Sequence, residues 1–281
     1  MNPPTARPRH SAGHASGLGV ALALLLPSLQ AQGQALQWQA DTVLSQSQWQ
    51  EQSAQGVRLL DERGLLPGLR LQVGPAASAA QTWSLHLEAQ AGTRDYNGQS
   101  SRGTPVQTDV GVQALSLGLA VQQPLTPSLA LTGDLSPTWL RRHLHGVAGA
   151  AGYTEHWQWT LAMLGLQWQA AWGPGQLRVQ AELGLPLVPQ LHVQLPGLDP
   201  LTLRPQPGTA ARLGVHWQGP LGTGDVGGGV WHAGLCAQSL PFRASPVVAG
   251  TLGGVLRAAV SQPATQTWGL QWQLGASWPW H

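Results

Sequence analysis

The stretch TWGLQWQLGASWPWH, Thr267 to His281, decides the fold. Taken two residues at a time, Trp268, Leu270, Trp272, Leu274, Ala276, Trp278 and Trp280 fall on one face of an extended strand, with Gly269, Gln271, Gln273, Gly275 and Ser277 on the other. One face is apolar and aromatic; the other is small and uncharged. Chain termini of soluble domains commonly fray, so a segment this rich in tryptophan predicts a strand that is paired and has an apolar surface to meet.

The same period of two recurs upstream. In TWSLHLEAQAG, Trp83, Leu85, Leu87, Ala89 and Ala91 oppose Ser84, His86, Glu88 and Gln90. LRVQAELGLPL sets Leu177, Val179, Ala181, Leu183 and Leu185 against Arg178, Gln180, Glu182 and Gly184, and ARLGVHWQG sets Leu213, Val215 and Trp217 against Arg212, Gly214, His216 and Gln218. No sustained 3.6-residue apolar stripe follows the first thirty-five residues. Turn residues divide the chain into about ten strands, near 36–46, 58–73, 82–95, 109–122, 128–141, 156–172, 176–188, 209–218, 226–241 and 265–280. The first also reads as helix. The sixth changes phase around Met163 and Leu164, which predicts a bulge or a crossing register.

Composition says which solvent the apolar face meets. Charged residues are 9% of the chain, against roughly 25% in soluble domains, and all 14 basic residues are arginine. Edge strands in water are normally guarded by lysine and other charges; here the polar faces carry Gln, Gly, Ser and Ala. The tryptophans gather toward strand ends, at Trp38, Trp83, Trp157, Trp159, Trp168, Trp172, Trp217, Trp231, Trp268 and Trp278, where lipid headgroups favour an amphipathic ring. Arg7 and Arg9 precede the apolar run Leu18 to Leu26 and the small-residue stretch AQGQA, so residues 1–35 read as a secretory signal peptide and 36–281 as one exported β domain. Without Arg7 and Arg9 that domain has 12 Arg against 12 Asp and Glu, and no basic patch points to nucleic acid. The lone Cys236 has no intramolecular disulfide partner.

The connections PAASAAQ, QQPLTP, GPG and GPLGTGD are short and rich in Pro and Gly, while those near 96–108, 142–155, 189–208 and 242–264 are longer. Short turns at one end and longer loops at the other are the habit of outer-membrane barrels. An even strand count lets the last strand pair with the first, so each backbone group in lipid finds a partner. The ending resembles the C-terminal strand of bacterial outer-membrane β-barrel proteins. The resemblance assigns the assembly signal to Trp272, Leu274, Trp278 and Trp280, with Pro279 and His281 as departures from the family pattern. It implies an all-β, antiparallel, up-and-down transmembrane barrel of the Gram-negative cell envelope, with outer-membrane lipid and the barrel-assembly machinery as partners. RDYNGQSSRGTP resembles a first long loop of such barrels, with Asp95, Tyr96, Asn97 and Gly98 turning the chain.

A ten-stranded barrel is porin-like in form but narrow; roughly 16 to 18 strands are needed for an aqueous channel. The lumen should hold a charge and polar network of Arg70, His86, Glu88, Arg178, Glu182, Arg212, His216 and His232. Glu88 and Glu182 are expected to pair with Arg70, Arg178 or Arg212, since confined charges require partners. The tryptophans above would form the belt. No cofactor fingerprint or redox pair is present. An ion shared by His143 and His145 with His156 or Glu155 is weaker than loop histidines without that role. The expectation is a non-enzymatic outer-membrane protein of structural or surface-interaction type, with a narrow, largely plugged lumen and long extracellular loops. One alternative is a rim-active, protease-like hydrolase using Asp95, Asp109, Asp134, Glu155, His143, His145 and His156. Another is an exported soluble β-sandwich or barrel binding protein.

Overall fold

Trp278 faces Trp38 across the seam where the chain closes on itself. In the computed structural model the described residues are 36–75, 82–99, 103–147, 150–221 and 229–279; the expected signal peptide, Trp280 and His281 lie outside them. The strands are β1 Leu36–Gln52, β2 Arg58–Pro75, β3 Thr82–Gln99, β4 Pro105–Pro124, β5 Leu129–Leu144, β6 Tyr153–Trp172 and β7 Gly175–Val193. Two short strands follow, β8 Leu201–Leu203 and β9 Gln206–Pro207, then β10 Ala210–Pro220, β11 Val230–Arg243, β12 Val248–Leu252, β13 Val255–Val260 and β14 Ala264–Pro279.

Among the described residues, β1 to β7, β10, β11 and β14 pair in that order, and β14 returns to β1, giving a closed antiparallel barrel of ten strands. Closure leaves no free edge in the barrel wall. β8 extends β7, β9 pairs with β11, and β12 with β13 forms a separate hairpin. The hairpin turns at Gly253 and Gly254, both at positive φ (59° and 80°), as a two-residue type I′ turn requires. One end of the barrel carries the start of β1 and the end of β14; the other carries the two longest connections, 194–209 and 244–263.

Each strand changes character along its length. On β1, Leu36, Trp38, Ala40 and Leu44 point outward and are followed by Gln46, Gln48 and Gln50, while Gln37, Gln39 and Asp41 point inward and are followed by Trp49. β6 repeats this in reverse: Trp157, Trp159, Leu161 and Met163 point inward, with His156 and Gln158 outside, and toward the termini Gln167 and Gln169 point inward, with Leu164, Leu166 and Trp168 outside. The change of phase expected at Met163 and Leu164 is therefore no bulge. The strand keeps its alternation and the apolar residues change sides. In the terminal half apolar side chains face out and polar ones in; in the distal half the arrangement inverts.

The distal interior is consequently packed. Trp157 lies 5.1 Å from Trp49 and 5.4 Å from Phe242, centroid to centroid, and Trp159 also meets Phe242 at 5.4 Å. Val110, Val112, Leu140, Leu144, Leu191, Leu201 and Leu203 surround them, all buried. A true bulge falls in β7, where the register against β6 shifts between Gln158 and Thr160 and Val188 adopts φ 48°. It swaps the faces of β7, so that Leu191 and Val193 join this core although Glu182 and Pro186 set the opposite parity.

Two expectations are corrected here. Asp95, Tyr96, Asn97 and Gly98 do not turn the chain; they continue β3, and Tyr96 is buried inside because its ring fills the distal core. β1, read as ambiguous, is a 17-residue strand held on both sides by β14 and β2.

Candidate functional site: the lumen and its buried charges

Inward positions of the terminal half line a cavity of about 720 Å³ that reaches the terminus-bearing rim at Gln37, Thr82, Gln122 and Gln176. Its distal end is bounded by Trp49, Leu66, Leu140, Trp159, Leu161 and Leu240. A polar compartment thus runs into an apolar floor.

The arginines and carboxylates of this compartment mostly pair, as confined charges must. Arg70 reaches Glu88 across the β2–β3 ladder at 3.5 Å. Glu88 also accepts from Gln90 at 2.6 Å and Gln271 at 2.8 Å. Arg212 donates to Glu182 at 3.1 Å, and Thr132 donates to the other oxygen of Glu182 at 3.0 Å. Glu88 and Glu182 are therefore held by Arg70 and Arg212. Arg178 is the exception: its Nε and Nη2 donate to Gln176 Oε1 at 3.3 and 3.2 Å, and among the described residues no carboxylate pairs with it. Its ladder partner is His216, which lies over Gly234, and His232 Nε2 is 2.8 Å from Ser277 Oγ. All eight residues expected in the lumen network line this cavity.

Deeper in, Ser136 donates to Asp134 and lies 3.4 Å from His86 Nε2, which is 3.8 Å from Asp134. The serine, not the histidine, bridges the other two. The general-base relay of nucleophilic hydrolases needs the histidine in the middle, an order this trio does not have.

The second charge cluster sits in the distal core. Arg142 is fully buried and donates to Glu62 and Glu155, with Glu51 at 3.7 Å. Arg94 stands 3.6 Å from Glu62 and donates to Ser47 at 2.7 Å. Three carboxylates face two guanidiniums, and two indoles supply further donors: Trp49 Nε1 to Glu51 at 3.1 Å and Trp157 Nε1 to Glu155 at 2.9 Å. This explains why Trp157 is drawn inside.

The expected tryptophan belt is thereby corrected. Trp38, Trp83, Trp217, Trp231, Trp268 and Trp278 point outward, whereas Trp157 and Trp159 point inward and pack the core. Trp217 and Trp231 lie 4.2 Å apart near the terminus-bearing rim. On β14, Trp272, Leu274 and Trp278 share the outward face.

The residues suggested for a rim hydrolase do not converge. Asp134 and Glu155 belong to the two interior networks, while Asp95 and Asp109 face each other on the outer surface of β3 and β4. His143 bonds Thr154 at 2.8 Å and stacks edge-on against His145 at 4.9 Å, and His156 pairs outside with His192. The ion shared with Glu155 is excluded by geometry, since Glu155 faces inward to Arg142. Among the described residues no three His, Cys, Asp or Glu are arranged to hold a metal ion.

Sequence reasoning missed Asp41, Glu51, Glu62, Arg94 and Arg142. Arg142 and Glu155 are ladder partners, a signal available once the β5–β6 register is known. Glu62 comes from across the barrel, and no local pattern announces it.

No family model matches the sequence, and no curated protein is similar to it. Among solved structures, the chain is similar to the outer membrane protease OmpT from Escherichia coli over 88% of its length and 97% of that protein, at 7% identity and TM-score 0.47. The translocator domain of autotransporter NalP from Neisseria meningitidis aligns over 92% and 93%, at 13% identity and TM-score 0.45. The attachment invasion locus protein Ail of Yersinia pestis aligns over 87% and 99%, at 9% identity and TM-score 0.34. The assignment of a closed ten-stranded antiparallel barrel rests on the strand pairing itself.

Proposed function

We propose that the protein is an outer-membrane β-barrel of surface-interaction type that does not conduct, with both termini at the periplasmic rim and the connections 194–209 and 244–263 outside. The observation that carries this reading is the inversion along the strands. Leu69, Leu164, Leu183 and Leu274 are between 59% and 64% exposed on the outer wall of the terminal half. A continuous apolar band around a closed barrel suits hydrocarbon, and in water it would be an aggregation liability. Tryptophans Trp38, Trp83, Trp217, Trp231 and Trp278 rim that band toward the termini, as headgroup anchors do. Beyond it the outer face becomes polar and the interior becomes a dry core, which is the pattern of a wall that has left the membrane. An interior filled by Trp49, Trp157, Phe242 and the Arg142 cluster supports a lumen closed to ions. The β12–β13 hairpin, with Val247 just before it, offers Val247, Leu252, Val255 and Leu256 at the distal end, all exposed, as the contact surface.

Two measurements test this together. Purified protein should show heat-modifiable gel mobility and give no stable conductance steps in planar bilayers. Large, stable steps would overturn the closed lumen, and release into the soluble fraction on osmotic shock would overturn the membrane placement.

A further inference from the structure

The terminal compartment differs from the rest of the interior in being open space with unspent hydrogen-bonding capacity. Asp41, His86 and Gln167 line it at 3%, 6% and 8% exposure, and Asp41 Oδ1, His86 Nδ1 and Gln167 Nε2 have no hydrogen-bond partner. Buried polar atoms are usually satisfied; these three stand on β1, β3 and β6, spaced around the compartment. Glutamines make up much of the remaining lining, among them Gln37, Gln72, Gln176, Gln218 and Gln273. Each amide both donates and accepts, which suits hydroxyl groups and gives no preference for charge.

Charge preference comes from one corner. Arg178, His216 and His232 stand on adjacent strands near the rim, and while Arg70 and Arg212 are paired with carboxylates, Arg178 meets only the amide oxygen of Gln176. Its Nη1 has no hydrogen-bond partner among the described residues. A guanidinium whose planar fork is not occupied by a carboxylate is a ready partner for one.

We infer that the terminal half of the lumen is a one-ended binding cup for a small hydroxyl-bearing organic anion of the acidic-sugar class, held by Arg178 at the mouth and by the glutamine amides along the wall. The volume of about 720 Å³ lies within the ordinary range of small-molecule sites. The apolar floor at Trp49 and Leu161 makes the cup a place of residence and not of passage. This goes beyond the proposed surface role and depends only on the closed barrel.

The test is isothermal titration of the full chain, refolded in detergent, with sodium glucuronate and with glucose as probes. Glucuronate should bind and glucose should bind at least about tenfold more weakly, the worth of one charge-assisted hydrogen bond. Arg178→Gln should cost glucuronate about tenfold, and Arg178→Lys less. Gln176→Glu is the second variant: nearly isosteric, it gives Arg178 the carboxylate it lacks and should abolish glucuronate binding while keeping heat-modifiable mobility. Absence of glucuronate binding to the unaltered chain, equal affinity for the two sugars, or unchanged affinity in Gln176→Glu would each overturn the inference.

Discussion

The guanidinium carbon of Arg142 sits 4.2 Å from the centre of the Trp49 ring, while the same side chain donates to Glu62 and Glu155. One residue thus joins β5, β1, β2 and β6 through the middle of the barrel. Removing it leaves three carboxylates buried against Arg94 alone. Breaking a buried ion pair from one side costs about 3–5 kcal/mol, so Arg142→Leu should lower the denaturant midpoint of the detergent-folded barrel strongly. A loss within experimental error would show that the cluster is not the distal keystone.

His86 and Gly118 are ladder partners on β3 and β4. A side chain on Gly118 would collide with the imidazole of His86 and with Ser136 Oγ, at 2.5 Å from the latter. Gly118→Ala should therefore destabilise by about 1–3 kcal/mol, as overpacking does, and His86→Ala in the same chain should recover most of that loss. The double-mutant cycle is the check; additive effects would contradict the proposed collision.

Asp199 accepts from Thr251 Oγ1 at 2.7 Å and from the amides of Gly253 and Gly254 at 3.2 and 3.4 Å, pinning the 194–209 connection to the β12–β13 turn. These hydrogen bonds, Thr251 first, hold its carboxyl below the ordinary 3.8. A carboxyl whose pKa is depressed by folding contributes above its unfolded value and loses that contribution as pH falls through the folded one. Protection of the hairpin from proteolysis near Arg257 should persist from neutral to mildly acid pH and fade only at pH below 3.8. Asp199→Ala should remove it at neutral pH, which limited trypsin digestion reads directly.

Val188 holds φ 48° at the β7 bulge, a region that a β-branched residue occupies only under strain. Glycine there carries no such penalty, so Val188→Gly should stabilise the barrel by about 1 kcal/mol. A drop in stability would mean that the exposed side chain contributes more than its backbone costs.

Much of the fold is legible in the sequence because alternation survives wherever one face is apolar and the other is not. Thr267 to Trp278 and Leu177 to Leu185 declare themselves as strands in this way. The predicted ends fall short on the distal side, β1 at 46 against Gln52 and β3 at 95 against Gln99, because there the apolar face moves inside and the outward face turns to Gln and Asp. Trp157 and Trp159 read as belt residues for the same reason: tryptophan near a strand end looks alike on either side of the wall. The β12–β13 hairpin lay inside a stretch read as loop, although Gly253–Gly254 between two apolar runs is a hairpin signal. The lumen residues were accessible since alternation alone assigns a face. Glu51, Glu62 and Arg94 meet Arg142 only through closure of the barrel, which no local pattern encodes.

The outer wall meets hydrocarbon in its terminal half and water in its distal half. In a Cys236→Ser background, single cysteines replacing Leu44, Leu69, Leu164 and Leu183, and others replacing Gln48, His156 and His192, can be spin-labelled in liposome-reconstituted protein and their collision rates with oxygen and with a nickel chelate compared. The first four should favour oxygen and the last three the chelate, with the exchange on β1 falling between Leu44 and Gln48. Preference for the water-soluble chelate at all seven positions would contradict hydrocarbon contact of the terminal half.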